Sequence, residues 1–276
     1  MTKRLTGSRG RGYGRGMQTG PSPAVLDAFG ATAPPVLLDG GRGRTWRSGE
    51  IVLKPVDHPA ETAWRADVLA ALPETDAIRV PRPLPTRTGT WTADGWEAAA
   101  LIPGRTDPKR WNDAIEAGEA FHEAIGGLAR PAFLDTRDDW WSRADHDSWN
   151  PGLAPADPTL RTLAEARTPV ALDHQLVHGD LLGNVLYEPG LPPAIIDWPP
   201  YWRPRSWAAA VAAVDAMCWN GADESVLDHW SHLEAWPQMA LRALLYRMIT
   251  DQHATPGPWR PHPAYHPVTA AVLRRL

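Results

Sequence analysis

The chain has 276 residues, 43% of them hydrophobic and 22% charged, with a formal net charge of −4. This is an ordinary globular balance on a chain long for one core and short for two, and it carries no basic excess that would point to nucleic acid. The single Cys218 excludes an intrachain disulfide and fits a reducing compartment, and the longest apolar stretch, SWAAAVAAVDAMCW, is broken by Asp215 and too short to span a bilayer.

Residues 1–20 open with MTKRLTGSRGRGYGRG, five basic residues with no acid and hardly any apolar side chain. Such a segment cannot bury enough surface to offset its ordering entropy, so it reads as a disordered Arg/Gly-rich tail. A tail of this kind can bind nucleic acid or acidic partners; the plainer alternative is that translation starts at Met17. No apolar core follows the basic residues, so no secretory leader is expected, and the cytoplasm is the expected compartment.

Order should begin at SPAVLDAFG, a short helix with Pro23 in its first turn. Two apolar β-type runs follow, Val36 to Leu38 and Ile51 to Lys54, joined by a turn-rich loop containing Gly40, Gly41, Gly43 and Gly49. AETAWRADVLAAL predicts a helix with Trp64, Val68, Leu69 and Leu72 on one face. Further strands are expected up to Ala100, with turns at Thr88-Gly89 and Asp94-Gly95. The region 21–99 is thus a small sheet with one long helix.

Beyond Pro103-Gly104 the pattern turns helical, which makes 100–276 a second, helix-rich region. DPKRWNDAIEAGEAFHEAIGGL predicts a helix with Trp111, Ile115 and Phe121 buried, and DPTLRTLAEA a shorter one. The segment 176–198, LVHGDLLGNVLYEPGLPPAIIDW, reads as strand, loop, strand, turn, strand. Helices follow again over RSWAAAVAAVDAMCW and within 224–253.

Lys54 sits in an otherwise apolar strand after the glycine loop. Alternation places it beside Val52 and opposite Ile51 and Leu53, so neither face of its strand is plainly the solvent face. A lysine so placed either points to water or reaches a phosphate. In the second half, Asp180, Asn184 and Asp197 offer two carboxylates and an amide oxygen. That donor set suits a hard cation such as Mg²⁺ together with phosphoryl transfer to a hydroxyl. Each residue alone could merely cap a turn.

LVHGDLLGNVLY followed by AIIDW resembles the catalytic loop and metal-binding segment of the aminoglycoside phosphotransferase and choline kinase superfamily. The likeness covers most of 21–255. It also resembles an actinobacterial branch of that superfamily through GEAFHEAI, RPAFLDTR and YWRPRSW. The resemblance implies an α+β, two-lobed protein-kinase-like fold and transfer of the γ-phosphate of ATP, with Mg²⁺, to a hydroxyl of a small molecule. It implies Asp180 as the catalytic base or acceptor-orienting residue and His178 as a brace of its loop. Asn184 and Asp197 would hold Mg²⁺, and Lys54 the α- and β-phosphates. Glu61 would be the helix acid paired with Lys54 (Asp67 if the alignment shifts). Gly41 and Gly43 belong to the glycine loop over the nucleotide, and the adenine would lie against the backbone of Ala98 to Ala100.

Two departures stand out. Three residues, LLG, separate Asp180 from Asn184 where the family usually has four, and Gly183 is the residue that could close a tighter loop. Trp207 occupies the place of a family Asp in PRSWAA, so the loop must be braced differently, with Asp215 a possible substitute. Tyr201, Trp202 and Arg203 stand where kinases face their acceptor. The stretch 138–149, DDWWSRADHDSW, reads either as a solvated loop with buried Trp anchors or as the lining of a pocket for a cationic acceptor. The histidines at 229, 232, 253, 262 and 266 read as surface residues. Two other functions share the same features: a nucleotide-binding regulator without turnover, and a nucleotidyl transferase. No membrane partner is expected, and the chain is expected as a monomer or homodimer.

Overall fold

The computed structural model describes residues 20–39 and 43–276. The Arg/Gly-rich tail up to residue 19, the Met17 start and Gly41 of the glycine loop lie outside these residues. The described chain divides into two units: one holds the residues up to Arg105 plus Tyr187–Ile196, the other Thr106–Leu186 and Asp197–Leu276. The segment Tyr187–Ile196, which a boundary at residue 100 assigns to the helical region, therefore clusters with the sheet. Backbone bonds hold it there: Arg105 and Tyr187 exchange N–H···O bonds at 3.0 and 2.9 Å, and Arg79 N–H donates to Pro193 at 2.8 Å.

In the sheet unit, helix α1 (Pro23–Ala28) starts where Ser22 caps it, its hydroxyl accepting from the Val25 N–H at 3.2 Å. The sheet has five antiparallel strands in the order β1-β2-β3-β5-β4: β1 (Val36–Leu37), β2 (Trp46–Ser48), β3 (Ile51–Pro55), β4 (Thr92–Ala93) and β5 (Trp96–Ala100). Strand β2 lies in the stretch expected as loop. Its three residues alternate too briefly to show a period, and its Trp46 joins the core only through the fold. Asp94 and Gly95, both with positive φ (49° and 74°), make the tight turn from β4 to β5, as a two-residue hairpin loop requires. Leu53 and Ala98 pair across β3 and β5 and face Val25 and Phe29 of the α1 segment, forming this unit's core. Helix α2 (Pro59–Ala71) lies on the other face, where its Arg65 reaches Glu97 of β5.

The second unit contains α3 (Trp111–Ile125), α4 (Trp140–Trp149), α5 (Pro158–Glu165), strands β6 (Gln175–His178), β7 (Val185–Leu186) and β9 (Pro200–Arg203), and helices α6 (Arg205–Trp219), α7 (Ser225–His229), α8 (Trp236–Ala254) and α9 (Tyr265–Leu273). Strand β8 (Ala194–Ile195) belongs to the first. Ile115 and Phe121 of α3 are buried, as expected, and Trp111 is half-buried. The alanine run of α6 is buried along nearly its whole length, small side chains letting α3 and α8 pack closely against it.

Three elements of this second unit differ from the sequence reading. Residues 140–149 are helical, started by the Asp139 carboxylate accepting from the Ser142 N–H at 2.9 Å. Charges on several faces hide the apolar period there, and the buried stripe consists of the small residues Ala144 and Ser148. Residues 200–203 form a strand antiparallel to β6, with His178 opposite Pro200. Helix α9, interrupted in sequence by Pro267, was not expected either. No described helix is long and apolar enough to cross a membrane.

Candidate active site

Strand β6 delivers His178 and the following turn into a frame of buried groups. The His178 N–H donates to Nε2 of His122 on α3 at 2.9 Å, and His178 Nδ1 accepts from the Asp180 N–H at 3.1 Å. Burial lowers the pKa of His122, so the ring is neutral. Since its Nε2 accepts, its proton sits on Nδ1, 3.7 Å from Glu119 Oε1. Gly179 has to be glycine: a Cβ there would lie 2.3 Å from the Tyr201 ring. Gly118 of α3 leaves room for Leu181, whose Cδ1 a Cβ there would meet at 2.3 Å. Leu181 is thereby seated in the helical core and anchors the loop.

The short spacing to Asn184 is closed by a tight turn. Asn184 N–H donates to the Leu181 carbonyl at 2.9 Å, and Gly183 has φ 91°, the left-handed value the third residue of a type II turn needs. Asn184 Nδ2 donates to the Asp180 carbonyl at 2.7 Å and lies 3.3 Å from Asp180 Oδ2. The Asn184 amide nitrogen is thus the group tied to the loop. Asp197 stands two residues beyond the end of β8, not within it, and has φ 52°. Trp198 fixes it from the next position: the indole N–H donates to the Val177 carbonyl at 3.2 Å, and the ring meets Phe121 edge-on at 5.0 Å.

Sequence reasoning missed Arg247. It lies in α8, and its Nη2 donates to Asp180 Oδ1 at 2.6 Å and also contacts Asp215 Oδ2, while its Nε donates to Asp215 Oδ1 at 2.9 Å. Burial alone would lower the Arg247 pKa, but the charges of Asp215 and Asp180 outweigh it and hold it well above the ordinary value. Burial pushes Asp215 up to about 6 against the pull of Arg247, with the charge of Asp180 adding to the rise. Asp215 thus connects to the Asp180 loop through a guanidinium. Trp207 is fully buried between Tyr201 and Tyr246, ring centroids 5.5 and 5.3 Å away.

In the sheet unit, Lys54 is half-buried and stands directly across from Glu97 in the β3–β5 register. Glu97 takes both oxygens to Arg65 at 2.8 Å, and Arg65 also lies 3.4 Å from the buried Glu61 one turn earlier on α2. Lys54, Glu97, Arg65 and Glu61 therefore share one charged face. Gly43 has φ 70° with open space around it. One backbone group each of Ala98 and Ala100, expected beside the adenine, is engaged within the sheet unit. The Ala98 carbonyl accepts from Leu84 N–H at 2.9 Å, the Ala100 N–H donates to Arg82 at 2.8 Å, and the Ala98 side chain is in the core. These groups hold the sheet together and are not offered to a purine.

Of the three acceptor-site candidates, Tyr201 is buried, with its hydroxyl 2.9 Å from that of Tyr246 and its pKa pushed up to about 12 by burial. Arg203 clasps Asp145 of α4 through two bonds of 2.8 and 2.9 Å and stacks over Trp149. With Trp202 and Arg137 they line a cleft of about 540 Å³. The register places Arg203 opposite Gln175, at the far end of β6 from His178. The acids of 138–149 are engaged: Asp138 with Arg143, Asp139 with Arg137, Asp145 with Arg203, and Asp147 beside His253. Asp145 and Asp147 line the cleft together with Asp135, among arginines that pair with several of these acids. Among the described residues, no three His, Cys, Asp or Glu side chains gather to hold a metal; His229 and His232 pack on Trp230.

The chain has the mixed α+β, kinase-like fold shared by aminoglycoside phosphotransferases, amicoumacin kinase and choline kinase, as the sequence resemblance implied. Amicoumacin kinase hAmiN, solved in complex with AMP-PNP, Ca²⁺ and Ami, is 12% identical with a TM-score of 0.58 over 87% of each chain. Choline kinase LicA from Streptococcus pneumoniae is 10% identical, with a TM-score of 0.53 over 90% of this chain and 96% of its own. A thermostable mutant of aminoglycoside phosphotransferase APH(4)-Ia is 15% identical, with a TM-score of 0.52 over 91% and 97%. No family model and no curated protein matches the sequence.

Proposed function

We propose that the protein is a cytoplasmic phosphotransferase that moves the γ-phosphate of ATP, with Mg²⁺, to a hydroxyl of a small molecule. The observation that carries this reading is the Asp180 loop. Buried groups fix the loop from below, yet the Asp180 side chain itself remains 48% exposed. A carboxylate held so firmly and still open to solvent suits a group that must meet an incoming hydroxyl. The kinase-like fold supports the same reading.

In this account Asp180 orients the acceptor hydroxyl and takes its proton, and Lys54 neutralises phosphate charge as a point cation. The donor chemistry fits Mg²⁺, which takes oxygen ligands and needs only one or two from protein when phosphates supply others. Asn184, with its amide nitrogen tied to the loop, and Asp197 would hold it, and it would neutralise charge on the transferring phosphoryl group. Product analysis tests the proposal. With Mg·ATP and a panel of hydroxyl compounds, ADP is the expected product. Pyrophosphate would indicate nucleotidyl transfer instead, and release of neither would leave only a nucleotide-binding regulator.

A further inference from the structure

We propose that Arg247, braced by Asp215, is the positioning residue that aims the Asp180 carboxylate and reserves Oδ2 for the acceptor. The inference rests on the phosphotransfer reading and adds to it a residue from a helix that no loop motif includes. Arg247 is 12% exposed, and its guanidinium is fixed before Asp180 is considered. Nε and Nη2 form a fork on the two oxygens of Asp215, and Asp215 is itself buried in α6. The Tyr246 ring lies 5.1 Å from the guanidinium carbon, and the Tyr265 hydroxyl bonds the Arg247 carbonyl at 3.4 Å from α9. A planar fork locked in this way cannot rotate freely.

The same Nη2 reaches Asp180 Oδ1 at 2.6 Å. Oδ2 accepts only the longer 3.3 Å bond from Asn184 Nδ2, on a side chain that is 48% exposed. One oxygen is therefore the handle and the other the working atom. Asp215 has a second effect. A lone arginine would cancel the charge of Asp180, whereas a guanidinium shared by two carboxylates leaves the trio with a net charge of −1. Asp180 keeps the anionic character that attraction of a hydroxyl proton requires. With Trp207 filling the place of a direct carboxylate brace, the bracing runs through Arg247.

The test uses the full chain, with ADP release from Mg·ATP into water as the probe of turnover and calorimetry as the probe of nucleotide binding. Arg247→Met is expected to lower turnover about 10- to 100-fold while Mg·ATP affinity stays within about twofold. Arg247→Lys should recover part of the loss. In an Asp180→Asn background Arg247→Met should cost less than about twofold more, because both changes disable one device. Should Arg247→Met unfold through the stranded Asp215, the pair Arg247→Met with Asp215→Asn removes the buried charge and carries the same expectations. Additive losses in the Asp180→Asn background, or a fall in affinity that matches the fall in turnover, would overturn the inference. Loss of turnover in Asp180→Asn but not in either Arg247 variant would overturn it alone. Wild-type protein that releases no ADP above the Asp180→Asn background, either in water or with the panel of hydroxyl compounds, would overturn the phosphotransfer reading and this inference with it.

Discussion

Replacing Gly179 with alanine tests whether the Asp180 loop is held as the geometry says. The new Cβ would stand 2.3 and 2.4 Å from two carbons of the Tyr201 ring. Carbon contacts prefer about 3.5–4.0 Å, so ring or loop must retreat by roughly 1 Å. The ring cannot readily move. Its hydroxyl is bonded to Tyr246, Trp207 packs on one side, and Arg137 lies 5.1 Å over its face. The loop therefore moves, and the overpacking should cost about 1–3 kcal/mol. For a chain of this size that lowers Tm by roughly 2–4 °C per kcal/mol. Because the shift carries Asp180 with it, ADP release should fall about 10²-fold, the usual penalty for a misplacement near 1 Å. Adding Tyr201→Leu makes room and should recover part of the Tm loss, which calorimetry on both variants and the double variant would read. If Gly179→Ala melts within 1 °C of wild type and releases ADP at the full rate, to within about twofold, the packing argument is wrong.

Lys54→Ala should weaken ATP binding at least about tenfold, the loss of one charge-assisted contact worth ~1.5–3 kcal/mol, without loss of the fold; calorimetry that shows equal affinity would remove Lys54 from the site. His122 gives a pH dependence. Its folded-state pKa is lowered by burial, from an unfolded value of 6.5. Its contribution to stability is therefore complete above pH 6.5 and is lost as pH falls from there through the lower folded value. The slope should approach ~1.4 kcal/mol per pH unit. Urea unfolding of His122→Gln should lose that one-proton slope, and a variant that keeps the wild-type slope would contradict the neutral buried ring.

Local chemistry made part of this legible. The short Asp180–Asn184 spacing and Gly183 together imply a tight turn, and the structure supplies it with φ 91° at Gly183. The period of α3 and the alanine-rich stretch of α6 identify helices wherever they pack. What stayed hidden depends on partners distant in sequence. Arg247 meets Asp215 across 32 residues and Asp180 across 67, and nothing within ALLYRMIT distinguishes it from a surface arginine except its apolar neighbours. Strand β9 exists because β6 lies beside it, so PYWR, which opens on a proline and follows another, carries no period of its own. That pairing also explains why Tyr201 belongs to the core. The bonds that Ala98 and Ala100 make to the segment 82–84 stayed hidden for a related reason, since that segment has a proline at its centre and does not read as a strand partner.

The most direct test compares Mg·ATP affinity and ADP release in Asp180→Asn and Asp197→Asn. Asp180 is assigned to the acceptor side, so Asp180→Asn should bind Mg·ATP nearly as wild type and lose turnover by about 10²–10⁴-fold or more. Asp197 is assigned to the cation, so Asp197→Asn should lose both Mg²⁺-dependent binding and turnover. If Asp180→Asn abolishes nucleotide binding while Asp197→Asn leaves it intact, the two roles are reversed. If neither substitution changes binding or ADP release, the loop around Asp180 is a structural turn and the phosphotransfer account is wrong.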